Sequence, residues 1–153
     1  MNGITIERIY NAPRQLVWDA WTTPEHFKKW WGPKIFTCPI ARMDVKVGGE
    51  YFWCMSGEGI GDFYTTGTFL EVNPIEKLSY TDSFADADGN KVGGEYYGMP
   101  QVPNNSVVTI TLEDLGNKTK MTVHHSEIPE GELAEQTTAG WNESFDKMAF
   151  IVE

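Results

Sequence analysis

Cysteine is scarce in this chain: its 153 residues include two, Cys38 and Cys54. They have no CxxC spacing and no His cluster to join, so a metal site has no support. Basic charge is also short, with 12 Lys and Arg against 22 Asp and Glu and a net charge of −10. Such a surface repels phosphate, which argues against nucleic-acid binding and against docking on anionic membranes. No stretch approaches the roughly 20 apolar residues that span a bilayer. The opening MNGITIERIY has no apolar segment of the secretory kind. These features predict a protein of the reducing cytoplasm with both thiols free. Catalytic signatures are missing too: there is no Ser-His-Asp order, HExxH, P-loop, GxGxxG or paired set of carboxylates.

Aromatic rings, in contrast, are abundant. Six Trp, six Tyr and eight Phe make up 13% of the chain. Rings of this size fill cores and also line cavities. The length fits one domain over 1–153, and a chain of this size buries roughly 70% of the surface it exposes when unfolded.

Residues 4–10, ITIERIY, read as a strand. Asn11 offers a cap and Pro13 a first-turn residue for a helix bearing Leu16, Val17, Ala20 and Trp21 on one face. Thr23-Pro24-Glu25 starts a second short helix, with Phe27, Trp30 and Trp31 as its apolar face, and Gly32-Pro33 ends it. Alternating segments at 36–47, 50–56, 63–72, 77–84, 106–114 and 119–125 read as antiparallel strands. Gly48-Gly49 predicts a two-residue hairpin that pairs Val47 with Glu50, Val45 with Phe52 and Met43 with Cys54. In that register Cys38 lies opposite residue 59, away from Cys54. Residues 85–106 show no period and read as a loop, either a lid or a surface insertion. From Glu132 to Val152, Leu133, Thr137, Trp141, Phe145, Met148, Ala149 and Val152 recur at helical spacing. Gly140 is a misfit there, costing about 1 kcal/mol against Ala, and implies a close approach to the backbone.

The order is thus strand, two short helices, six strands and a long helix. The predicted fold is α+β: a curved antiparallel sheet wrapped around the C-terminal helix. A straight rod does not match a bent surface along its whole length, so a gap between them is a candidate pocket.

Local motifs point the same way. NAPRQLVWDAWTTPEHFKKWWGP, MDVKVGGEYFWCM, GTFLEVNPIEKLSYT, YYGMP, VTITLED and Gly140-Trp141 resemble the Hsp90 ATPase activator homologue 1-like family of the START/Bet v 1-like (helix-grip) superfamily. The resemblance implies the helix-grip fold. It also implies a choice of functions, since that superfamily includes binders of lipids, polyketides and hormones and some cyclases.

Three functional expectations follow. The first is a hydrophobic small molecule held between sheet and C-terminal helix, against some of Trp31, Phe52, Cys54, Tyr80, His125, Trp141 and Phe145. Strand parity places Phe52 and Cys54 with Val45 and Met43, Tyr80 with Leu78, and His125 with Val123. The second is a cyclase- or hydrolase-type enzyme using His125, Tyr80 or Asp82, which parity also directs inward. The third is a chaperone-interaction or stress-response module. No metal or cofactor is expected, and a homodimer is left open.

Overall fold

A computed structural model describes residues 2–153. Its strands are β1 (Ile4–Tyr10), β2 (Phe36–Met43), β3 (Glu50–Gly57), β4 (Gly61–Asn73), β5 (Lys77–Ala85), β6 (Lys91–Val92), β7 (Ser106–Asp114) and β8 (Thr119–His125). Its α-helices are α1 (Arg14–Thr22), α2 (Pro24–Phe27) and α3 (Glu132–Val152). The strands form one antiparallel sheet in the order β1-β8-β7-β5-β4-β3-β2, with β6 on the end of β5. The sheet curls around α3, and α1 and α2 sit between β1 and β2 in sequence. This is the helix-grip architecture.

The core is built from the rings that are so frequent in the sequence. Tyr10, Trp21, Phe27, Trp30, Trp53, Phe69, Tyr80 and Phe145 are almost wholly buried. Their polar ends serve as ties between elements. The Tyr10 hydroxyl donates to the Phe145 carbonyl at 2.9 Å, fastening β1 to α3. The Trp30 indole donates to the Ala20 carbonyl at 2.7 Å, fixing α1 against the turn after α2. Gly67 is needed for another reason: a Cβ there would lie 1.9 Å from the Thr81 carbonyl oxygen, so β4 and β5 could not approach as they do.

The helix starts differ in part from expectation. Thr23 does precede α2, with Pro24 in its first turn. Pro13, not Asn11, occupies the cap position of α1, without a side-chain cap bond. Leu16 is exposed and Trp18 is buried in its place. The segment 85–106 is more ordered than a structureless loop. It contains β6 and a 3-10 turn over Gly94–Tyr97. The Tyr97 hydroxyl holds it down, donating to the Ala85 carbonyl and accepting from the Tyr64 backbone N–H.

The β2–β3 register also departs from the expected hairpin. Met43 pairs with Tyr51 and Arg42 with Phe52, while residues 44–49 form a wide turn. Gly49 packs so tightly there that a Cβ would sit 1.9 Å from the Asp44 carbonyl oxygen. The shift is an odd number of residues, so it exchanges the two faces of β3 relative to β2. Tyr51, Trp53 and Met55 therefore face α3. A bulge after Thr37 further places Cys38 beside Cys54 instead of opposite residue 59. Both thiols are free and buried. Burial pushes the Cys38 thiol up to about 12, which leaves it a poor nucleophile at neutral pH.

Along α3, the buried residues are Trp141, Ser144, Phe145, Met148 and Val152, which run from the middle of the helix to its end. The helix thus grips the sheet from Trp141 onward. Phe145→Ala should cost about 3–5 kcal/mol of stability, the usual effect of emptying a large core site. Phe150→Ala, five residues on and 92% exposed, should change it by less than about 0.5 kcal/mol. Urea unfolding of both variants checks this. Similar midpoints for the two would refute the packing of α3.

Candidate functional site

Under the N-terminal half of α3 the sheet and helix part, leaving a pocket of about 370 Å³. Leu133, Gln136, Thr137, Gly140, Trp141 and Ser144 form its helical wall. Phe36, Met55, Phe63 and Phe84 come from the strands, and Trp31 with Gly32 and Pro33 from the turn after α2. Met99 and Val102, from the long connection before β7, complete the rim. Gly140 presents bare backbone to this space, and a Cβ added there would lie 3.4 Å from the ring of Pro33. That is an ordinary van der Waals distance, so the backbone approach expected at Gly140 is not close enough to require glycine.

One end of the pocket is polar, where Asp82 and His125 reach the wall. The geometry fixes the protonation of His125. The Trp141 indole N–H points to His125 Nδ1 at 3.2 Å. An indole N–H can only donate, so Nδ1 carries a lone pair and the neutral ring bears its proton on Nε2. Ser106 Oγ lies 3.0 Å from that Nε2 and accepts the proton. Asp82 Oδ2 is 3.7 Å from the same nitrogen. The Tyr51 hydroxyl lies 2.7 Å from the Thr81 carbonyl and 3.1 Å from Asp82 Oδ1, sharing its single proton between them. Burial lowers the His125 pKa from 6.5, against the pull of Asp82. Burial likewise raises that of Asp82, opposed by His125 and Tyr51.

Ser106, His125 and Asp82 nevertheless do not form a nucleophilic triad. A triad needs the serine to donate to one ring nitrogen while the carboxylate accepts from the other. Here serine and carboxylate share one nitrogen, and tryptophan occupies the second.

The expected site residues divide clearly. Trp31, His125 and Trp141 line the pocket, as does Asp82. Tyr80 and Phe145 lie in the core beneath it. Tyr80 is fully buried, its phenol is held well above the usual range by burial, and its hydroxyl has no partner among the described residues. Phe145 stacks under Trp141 at 5.3 Å, so a larger ring there would crowd the core without filling the pocket. Phe52 and Cys54 fall on the opposite face of the sheet because of the register shift. Phe52 stacks on Tyr64 at 5.4 Å and lies under the Arg42 guanidinium at 5.3 Å. Met55, Phe63, Phe84, Met99 and Val102 were missed. Met55 would have followed from the correct parity; nothing in the sequence directs the side chains of the 85–106 segment inward.

His125 gives a titration test. Between its lowered folded pKa and 6.5, the unfolded chain binds a proton that the folded chain does not. Its contribution to stability is therefore retained above pH 6.5 and lost as pH falls towards the folded value. Nitrogen-15 NMR at pH 6.5 should show a mainly neutral Nε2–H ring. Trp141→Phe, which removes the donor to Nδ1, should raise the His125 pKa. A half-charged ring at pH 6.5, or no response to Trp141→Phe, would contradict the assignment.

Comparison with known proteins places this geometry. The family described as Activator of Hsp90 ATPase homolog 1-like protein matches residues 11–153. A crystal structure of a protein from Chromobacterium violaceum is 29% identical, with a TM-score of 0.83 over 99% of this chain and 97% of that one. One from Nitrosomonas europaea is 24% identical, with a TM-score of 0.79 over 98% of this chain and 93% of that one. A protein from Silicibacter pomeroyi has the same fold at 19% identity, with a TM-score of 0.76 over 97% and 95% of the two chains. No curated relative matches the chain. With the helix-grip fold and a family match over nearly its whole length, the chain belongs to the Activator of Hsp90 ATPase homolog 1-like family.

Proposed function

We propose that this protein binds a hydrophobic small molecule in the pocket between the sheet and the N-terminal half of α3. The observation that carries the reading is the pocket itself: about 370 Å³ walled by Trp31, Phe36, Phe63, Met99, Val102 and Trp141. Pockets of this size, mostly apolar with a few polar groups at one place, suit drug-sized ligands. The Asp82–His125 end then orients the ligand, and the wiring of His125 favours this role over that of a base. The two free thiols fit a reducing cytoplasm. Among the described residues no helix is long and apolar enough to cross a membrane.

The family's name supports a second reading, contact with an Hsp90-type chaperone. A pull-down with purified chaperone tests it, and retention at stoichiometric levels would favour it.

An environment-sensitive apolar dye should bind the folded protein with a rise in fluorescence. Thr137→Trp, which puts an indole into the pocket from α3, should weaken that binding at least fivefold while leaving the fold intact by circular dichroism. Dye binding unaffected by Thr137→Trp would place the apolar site elsewhere and defeat the reading.

A further inference from the structure

The polar end of the pocket is asymmetric, and the asymmetry selects a ligand head group. Asp82 is its only acid, and no Lys or Arg lines the pocket. Lys147, on the same helix, is tied to the carbonyl oxygens of Pro33 and Phe36 at 3.2 and 3.0 Å. The Nε2 proton of His125 is engaged by Ser106, and the Trp141 N–H is engaged by His125. Ser144 Oγ donates back to the Gly140 carbonyl at 3.0 Å. The donors of His125, Trp141, Ser144 and Lys147 are therefore used within the protein, and the Ser106 and Tyr80 hydroxyls, whose protons have no acceptor among the described residues, are buried and do not line the pocket. The acceptors are not: Asp82 Oδ1 has only a share in the Tyr51 proton, and Oδ2 stands beyond hydrogen-bond distance from its nearest donor nitrogen, at 3.7 Å. The Asp82 side chain is 23% accessible and lines the pocket.

Accepting the binding reading above, we propose that the pocket takes apolar molecules ending in a hydroxyl, whose proton is donated to Asp82, and rejects those ending in a carboxylate. A carboxylate head would bring like charges together in a partly desolvated space with no cation to offset them, and would find the His125, Trp141 and Ser144 donors already engaged. A hydroxyl head supplies the one thing this end lacks. The net charge of −10 acts in the same direction at longer range.

The test is dye displacement at pH 7.5 by three compounds of similar length: 1-octanol, octanoate and 1-methoxyheptane, the ether isomer of octanol. With the wild-type protein, octanol should displace the dye at concentrations at least tenfold below either of the others. In Asp82→Asn, the preference for octanol over octanoate should shrink to within threefold. The ether comparison needs no variant, so it decides the matter even if Asp82→Asn folds poorly. Octanol and ether binding alike, or an octanoate penalty that persists undiminished in folded Asp82→Asn, would show that hydrophobicity alone governs selection and would overturn the proposal while leaving the binding reading intact. If no dye binds the wild-type protein, the binding reading fails and this proposal with it.

Discussion

The indole of Trp141 is the contact on which both the packing and the pocket depend. It sits where α3 passes from its buried half to its lifted half. Its ring stacks on Phe145 at 5.3 Å on one side and meets Trp31 edge-on at 5.3 Å. Its N–H fixes His125 at 3.2 Å. Burying a side chain of this class is worth about 1.5–3 kcal/mol or more. One residue therefore anchors the helix, closes one wall of the pocket and sets the tautomer at its polar end.

The hollow exists because helix and sheet disagree in shape. A rod of 21 residues crosses a curled surface and can touch it closely over only part of its length. The C-terminal half of α3 takes the contact, filled by Phe145, Met148 and Val152. The N-terminal half faces the gap with Thr137 and Gly140, small residues that leave it unfilled. The sequence thus places small side chains where the gap is widest. The connection 85–106 supplies Met99 and Val102 from the other side, and Tyr97 anchors it, so the pocket has a defined rim.

The fold was readable because its signals are local and repetitive. The α3 stripe, the Thr23-Pro24 start and the six alternating strands rest on such signals, and each element is found, although the strand expected over 36–47 ends at Met43. The site was readable only in part. Trp141, Asp82 and His125 reach the pocket because helix phase and the parity of β5 and β8 survive in the sequence, and Trp31 reaches it from the turn after α2. Phe52 and Cys54 do not, because a Gly-Gly pair that suggests a tight turn instead closes a wide one, and an odd register shift turns β3 over. Strand register is set by long-range packing of Tyr51 and Trp53 against the core, which no local pattern reports. The bond from Trp141 to His125 joins residues 16 apart through a change from strand to helix. Only the assembled structure brings it into view.

A ligand held beneath the lifted half of α3 must touch Trp31 and Trp141. The indole N–H signals of the six tryptophans report on it directly, because they are spread through the molecule. On titration with 1-octanol, Trp31 and Trp141 should shift most, in a saturable manner, while Trp18, buried on α1 away from the pocket, holds its position. Saturable shifts that leave Trp31 and Trp141 in place and move Trp18, or no shifts at all, would contradict it.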